Sequence, residues 1–246
     1  MTDAPARRRG LIGAGLAALA AFALLCGLGV WQLERLKWKE ALITRVEARV
    51  TAAPAPLPGE TQWPTLAPDD YDYRHVSVTG VFDPQREALV FRSLEASKAG
   101  DGGPGYLVLT PLRLASGASI IVNRGFIPQA MREPAARPSA VPAGEVALTG
   151  LMRPPEARNL FTPADDPGKG DWFTRDPAAV AAALGLARAA PFTLDADAAP
   201  GQGFPRGGVT VLAIPNSHLS YALTWFGLAA TLAAVFAMAA LRRLRT

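Results

Sequence analysis

Two apolar runs, one near each end of the chain, constrain its fold more than any other feature. No charged residue occurs between Leu11 and Leu33, and none occurs between Leu219 and Leu241. Each run exceeds the ~20 residues a helix needs to cross the hydrocarbon core of a bilayer. A helix pairs its own backbone donors and acceptors, so such a run can lie in lipid without orphaned polar groups. The sequence therefore predicts two spanning helices, at 11–33 and 219–241, with a separate domain between them. Ala21-Phe22-Ala23 resembles a signal-peptide cleavage site, but the apolar run continues ~10 residues past it, beyond a usual signal core. The expectation is an uncleaved anchor.

The flanking charges predict orientation. Arg242, Arg243 and Arg245 follow the second run, whereas Asn216, Ser217 and His218 precede it. Cationic flanks stay on the cytoplasmic side. That places the tail 242–246 in the cytoplasm and, with two spans, the segment 1–10 with Arg7, Arg8 and Arg9 beside it. Residues 34–218 then face the other compartment, the periplasm in a bacterium. Arg35, Lys37 and Lys39 on the far side oppose this order, but a long domain translocates largely regardless of charge. The net charge of +4 does not imply nucleic-acid binding, because the basic residues gather at membrane flanks where anionic headgroups attract them. Cys26, the single cysteine, lies within the first run, so an intrachain disulfide and a CxxC motif are both excluded.

Past the first run, "ERLKWKEALITRVEARV" keeps helical spacing, with Leu36, Leu42, Ile43 and Val46 between charges. Trp31 and Trp38 flank the exit, as interfacial aromatics do. The proline-rich stretch within 34–72 reads as an extended linker. From residue 73 to 215 the pattern is that of strands: "YRHVSVTGVF", "EALVFRS", "GYLVLTPLRL", "ASIIVNRGFIP", "EVALTGLMR", a shorter "DWFTRD", "PFTLDA" and "GGVTVLAIP". One soluble helix is expected at "DPAAVAAALGL", with Asp176 as its cap, Pro177 in its first position and Gly185 at its end. The fold class is thus a membrane α+β protein: two transmembrane helices flanking an antiparallel β-rich domain, an open barrel or a sandwich, with one short helix. Small residues four apart, Gly13 with Ala17 and Ala229 with Ala233 and Ala237, would permit close helix approach.

Two histidines are present, His75 and His218. His75 sits among alternating polar neighbours in a strand, which suits a solvent-facing or edge position. His218 falls in the first turn of the second spanning helix, with Tyr221 and Trp225 three and seven residues later on the same helical face. Such a face could hold a flat apolar cofactor such as haem, for which imidazole is a common ligand. Aromatic residues also gather at membrane interfaces simply because they are amphipathic. Residue types alone leave both readings open, and favour the interfacial one. A hydrolase elbow GxSxG is missing, as are the clustered thiolates or methionines that copper handling needs. Arg74, Arg92, Arg124, Arg153 and Arg175 lie at predicted strands, with Asp83, Glu156, Asp165, Asp166 and Asp176 nearby in the chain. Structural pairing is their default role, although an arginine could equally grip a propionate or a partner's carboxylate.

Several short motifs occur in a fixed order. They are Trp31-Gln32 with Arg35, Lys39, Leu42 and Ile43; Tyr73-Arg74 with Val76, Gly80 and Phe82; Gly105-Tyr106 with Leu109-Thr110-Pro111-Leu112; and Val122-Asn123-Arg124-Gly125. Gly150, Arg153, Pro155 and Glu156 follow, then Phe161-Thr162-Pro163, Asp166-Pro167 and Trp172-Phe173 with Arg175-Asp176. Pro215-Asn216, His218-Leu219, Tyr221-Ala222 and Thr224-Trp225 close the series. In this order, between two spans, the chain resembles the surfeit locus family of cytochrome c oxidase assembly factors. Phe126 stands where that family usually has Trp, and Asp165 where it commonly has Asn. The resemblance implies a non-enzymatic protein of the bacterial inner membrane that binds haem a at the membrane interface and assists its insertion into the largest oxidase subunit. It makes His218 the candidate ligand of the haem iron. Tyr221 and Trp225 join the candidate cofactor site from the shared helical face and not from the family. Expected partners are that oxidase subunit and haem a synthase. The alternative is a scaffold that holds oxidase intermediates without touching haem.

Overall fold

The computed structural model describes residues 4–94, 103–137, 141–199, 203–210 and 215–245, with side chains from residue 12 to residue 242. It resolves two compact units, Met1–Arg45 with Ala213–Thr246, and Val46–Leu212. Helix α1 runs over Ala4–Thr51 and helix α4 over His218–Arg245. Both are long and apolar enough to cross a membrane. Their large side chains point outward: Leu16, Leu19, Leu24, Leu223, Leu228 and Met238 are all exposed. A core helix of a water-soluble protein would bury such residues, and lipid is the solvent that suits them.

Within the helical unit, the two helices meet along a seam. Ala222 and Ala229 of α4 are buried, and so are Gly29 and Gln32 of α1. The ring of Phe226 lies so close to Gly29 that a Cβ there would stand 2.6 Å from it. Phe236 packs near Gly15 in the same way, 3.5 Å from where a Cβ would be. Small residues do admit close approach, but the seam uses Gly29, Gly15, Ala222 and Ala229. Of the four-apart set, Gly13 meets nothing within 4 Å, and Ala233 and Ala237 are exposed. Helical phase decides this, because the seam follows the i, i+4, i+7 positions that begin at His218.

The second unit is a seven-stranded sheet: β1 (Ala55–Pro56), β2 (His75–Phe82), β3 (Ala88–Leu94), β4 (Gly103–Arg113), β5 (Ser119–Pro128), β6 (Glu145–Arg153) and β7 (Ala189–Ala196). The order is β1-β2-β6-β7-β5-β4-β3, and a further pairing of β2 with β4 joins strands β2, β6, β7, β5 and β4 into a ring. That closing contact is short, Val81 opposite Arg113 and Phe82 opposite Leu112. Most pairings are antiparallel as the turn-linked strands predict. However, β1 runs parallel to β2, and β5 runs parallel to β7. The chain passes from β5 to its parallel neighbour β7 by way of β6 and helix α3 (Pro177–Ala183), a connection long enough for a parallel crossover.

Alternation along β5 shows how the sheet is buried on both faces. Ile120 and Val122 enter a cluster with Phe82, Leu112, Met152, Phe192 and Leu194, while Ile121 enters another with Leu107, Leu109, Phe126, Trp172 and Val180. Consecutive apolar residues in a strand signal this two-sided burial. Helix α3 covers the second cluster with Val180 and Ala181. Its cap is the expected one: Asp176 Oδ1 accepts from the amides of Ala178 and Ala179 at 2.9 and 3.2 Å. Gly185 ends the helix at φ +66°.

Three segments of the domain depart from their expected structure. "DWFTRD" forms only isolated bridges, Asp171 with Asp166 and Trp172 with Val90, instead of a strand. Of "GGVTVLAIP", residues 207–210 are not strand, and residues 211–214 lie outside the described set. The proline-rich segment is more than an extended linker. It contains β1, a 3-10 turn over Glu60–Thr65 and the one-turn helix α2 (Pro68–Tyr71). Trp63 and Tyr71 bury their rings against Phe192 at centroid distances of 5.7 and 5.6 Å. Two large aromatics supply enough apolar burial to hold a segment whose prolines cannot donate ladder hydrogen bonds.

His75 occupies a bonded position in this unit, not a solvent-facing one. Nδ1 donates to the carbonyl of Ala52 at 2.8 Å, and Nε2 faces Asp197 Oδ2 at 2.8 Å. Both ring nitrogens meet acceptors, which suits the doubly protonated ring. Burial disfavours that charge, but the bonds to Asp197 and Ala52 outweigh it and raise the pKa. The stabilisation is complete below the unfolded value of about 6.5 and is lost as pH rises through the higher folded value. The thermal midpoint of the wild-type protein should therefore fall between about pH 6 and pH 8 by more than that of His75→Gln. Parallel pH curves for the two proteins would exclude this contribution.

Candidate functional site

The first turn of α4 places His218. Asn216 Oδ1 faces the His218 amide at 3.4 Å, and the Tyr221 amide donates to the Ser217 carbonyl at 3.2 Å. This polar start follows Pro215, which cannot donate from its own nitrogen. The ring of His218 is half-buried and turns toward α1, where Nδ1 meets Gln32 Oε1 at 2.7 Å. Gln32 is only 9% exposed. An amide oxygen can only accept, so Nδ1 carries the proton, and in the neutral ring Nε2 keeps its lone pair. Among the described residues, Gln32 is the ring's hydrogen-bond partner, so that lone pair is available to an incoming ligand.

The three expected site residues do not share one environment. His218 begins the seam that continues through Ala222 and Ala229. Trp225 is half-buried at its margin, and Tyr221 is 54% exposed. Residues three and seven apart do fall on one side of a helix, yet a close-packed partner helix covers only part of that side. Trp225 is thus near the seam, and Tyr221 faces outward with Leu219 and Leu223. Sequence reading did not single out Gln32 as a site residue. Its signal was nonetheless present, since Gln32 is the single amide in the charge-free run from Leu11 to Leu33.

A second polar cluster lies in the sheet unit. Asp195, on β7, accepts from Asn123 Nδ2 at 2.9 Å and from Thr210 Oγ1 at 2.8 Å, and it pairs with the guanidinium of Arg175. Arg175 also reaches Glu156 at 3.4 Å, and Glu156 pairs in turn with Arg92. Arg153 bonds Asp72 at 3.0 Å. Burial raises the carboxyl of Glu156, but Arg175 and Arg92 more than compensate and hold its pKa below the usual range. Apart from Asp72, these groups line a cavity of about 190 Å³. Three arginines face three carboxylates here, so the cluster is balanced and reads as internal pairing.

Outside that cluster, Arg124 sits 3.4 Å from Glu87, Asp83 pairs with Arg86, and Asp166 with Lys169. Asp165 accepts from the amides of Phe173 and Thr174 and from Thr174 Oγ1, at 2.6, 3.3 and 2.9 Å, besides pairing with Arg158. A carboxylate so surrounded by donors is well placed at a position where the family commonly has an amide. Among the described residues, no group of three or more His, Cys, Asp or Glu could hold a metal ion.

Two candidate spanning helices, a ring of mostly antiparallel strands between them in sequence, and a histidine at the head of the second helix define a two-helix membrane protein with a β-barrel-like domain. The SURF1 family model matches residues 19–230, which takes in the domain and part of each long helix, and the chain belongs to that family. Surfeit locus protein 1 of Mus musculus is 37% identical over 217 residues, covering 83% of this chain and 68% of that protein. The protein of the same name from Homo sapiens is 37% identical over 216 residues, covering 83% and 70%. A SURF1-like protein of Monosiga brevicollis is 38% identical over 212 residues, covering 83% and 78%. The family is known as cytochrome c oxidase assembly factors, which are generally non-enzymatic, and haem binding has been reported in it.

Proposed function

We propose that this protein binds haem a at the membrane interface, through His218, and assists its insertion into the largest subunit of cytochrome c oxidase. The observation that carries the reading is the imidazole of His218, held by Nδ1 against the Gln32 side-chain oxygen, an arrangement that in the neutral ring leaves Nε2 with its lone pair. A neutral imidazole nitrogen is the form that ligates haem iron. The residues fit the group in a second respect, because the flanking helix surface is apolar and offers the ring of Trp225 at the margin of the seam. A porphyrin bound there would keep its hydrophobic faces out of water. When bound, haem a supplies the redox-active iron of the oxidase and is here cargo. The protein's own groups hold it, shield it and release it.

The orientation proposed is that of a two-pass protein of the bacterial inner membrane. Arg242, Arg243 and Arg245 hold the C-terminal flank in the cytoplasm. The N-terminus lies on the same side, and the β-rich domain is periplasmic. Haem a synthase and the oxidase subunit would meet the protein within that membrane.

The test is purification from cells that also make haem a, followed by absorption spectra of wild type and His218→Ala. Haem in the wild type and its loss in the variant are expected. A wild type without haem would favour the other reading, a scaffold that stabilises oxidase intermediates. Haem retained in both proteins would remove His218 as the ligand.

A further inference from the structure

We propose that Gln32 is the positioning residue for His218: its side-chain oxygen fixes the imidazole in the Nδ1–H tautomer and sets the ring plane, so that Nε2 is presented for ligation. The inference rests on the reading of His218 as a haem ligand. Three observations lead to it. The contact is short, 2.7 Å between Nδ1 and Oε1. Gln32 is buried in the seam although the rest of its run is apolar. Its position is fixed by the packing beside it, because Gly29, one turn before it, lies against the ring of Phe226.

A free histidine populates both neutral tautomers, and only one of them leaves Nε2 able to ligate. Metal-bound histidines almost always donate their second nitrogen to an oxygen, which fixes orientation and raises ligand basicity. Gln32 meets that description from the opposite helix. An interfacial amide could also serve merely to hold two helices together. The two roles differ in what their loss does, since the seam keeps the Gly29–Phe226, Ala222 and Ala229 contacts without it.

The experiment compares wild type, Gln32→Leu, Gln32→Glu and His218→Ala as full chains in lipid nanodiscs. The first readout is the tautomer of His218 in haem-free protein, taken from nitrogen-15 imidazole spectra. With two histidines in the chain, the His218 signals are assigned by their loss in His218→Ala. The second readout is affinity for added haem a. The expected result is an Nδ1–H tautomer in wild type and Gln32→Glu, mixed tautomers in Gln32→Leu, and affinity about 10- to 100-fold weaker in Gln32→Leu alone. Unchanged helicity in Gln32→Leu shows that the helices still form. An Nε2–H tautomer in the wild type, or haem affinity unaltered in Gln32→Leu, overturns the assignment to Gln32. A wild type that binds no haem overturns the reading of His218 itself, and with it the role of Gln32 toward haem.

Discussion

Asp195→Ala lowers the stability of the sheet unit by about 3–5 kcal/mol, the usual cost of removing one partner from a buried ion pair. The magnitude follows from what remains. Arg175 is 4% exposed and loses its nearest carboxylate, keeping only Glu156 at 3.4 Å. Asn123 and Thr210 lose an acceptor in the same step. For a unit of this size the change corresponds to a fall in thermal midpoint of roughly 10 °C. Asp195→Asn keeps an acceptor for neighbouring donors and loses only the charge, so it should fall between wild type and Asp195→Ala. Adding Arg175→Met to Asp195→Ala removes the stranded cation and should recover part of the loss. Thermal melts of the four proteins, followed by near-ultraviolet circular dichroism, decide the matter. If Asp195→Ala melts with the wild type, the network is solvated and does not hold the strands together.

Gly125→Ala is expected to be nearly as damaging, for a backbone reason. Gly125 adopts φ +124°, and a Cβ there would stand 1.9 Å from the carbonyl oxygen of Arg206 and 2.1 Å from its carbonyl carbon. Both obstacles are main chain, so no rotamer change relieves them. The neighbouring bridge would have to open, in which Phe126 and Arg206 exchange two backbone hydrogen bonds at 2.9 Å each. Strain of about 1–3 kcal/mol plus the loss of two bonds at about 0.5–1.5 kcal/mol each gives roughly 2–6 kcal/mol. Gly117→Ala is the control. Gly117 has φ +85°, but its nearest neighbour is the tip of the Arg188 side chain at 3.9 Å. That substitution carries conformational strain alone, about 1–3 kcal/mol. Equal losses in the two variants would show that the approach of Arg206 is not what requires glycine.

These two cases explain why the Asn-Arg-Gly motif could be noticed in the sequence but not understood there. Asn123 and Gly125 lie two residues apart, and their neighbours in the chain explain neither. The carboxylate that fixes Asn123 lies 72 residues on, and the carbonyl that excludes a side chain from Gly125 belongs to Arg206. The arginines show the same limit. Arg175 and Arg153 are visible as candidates in the sequence, but Asp195, which pairs with Arg175, and Asp72, which bonds Arg153, are not near them in the chain. Long-range strand pairing brings such groups together, and no local spacing encodes it.

What the sequence determined by itself was set by local physics. The absence of charge over two long runs defined the candidate spans, β-rich runs bounded by turn residues defined six of the seven strands, and Asp176, Pro177 and Gly185 fixed a helix through its termini. The fixed order of short motifs carried the family. Tertiary structure decided the rest: the parallel placement of β7, the closing contact of β2 with β4, and the burial of Trp63 and Tyr71 from a proline-rich segment. It also decided the environment of His218. A histidine at the head of an apolar helix is ambiguous in sequence because its partner comes from the other helix. Gln32 lies 186 residues away, and only the packing of α4 against α1 places its oxygen on Nδ1, which in the neutral ring leaves Nε2 with a free electron pair.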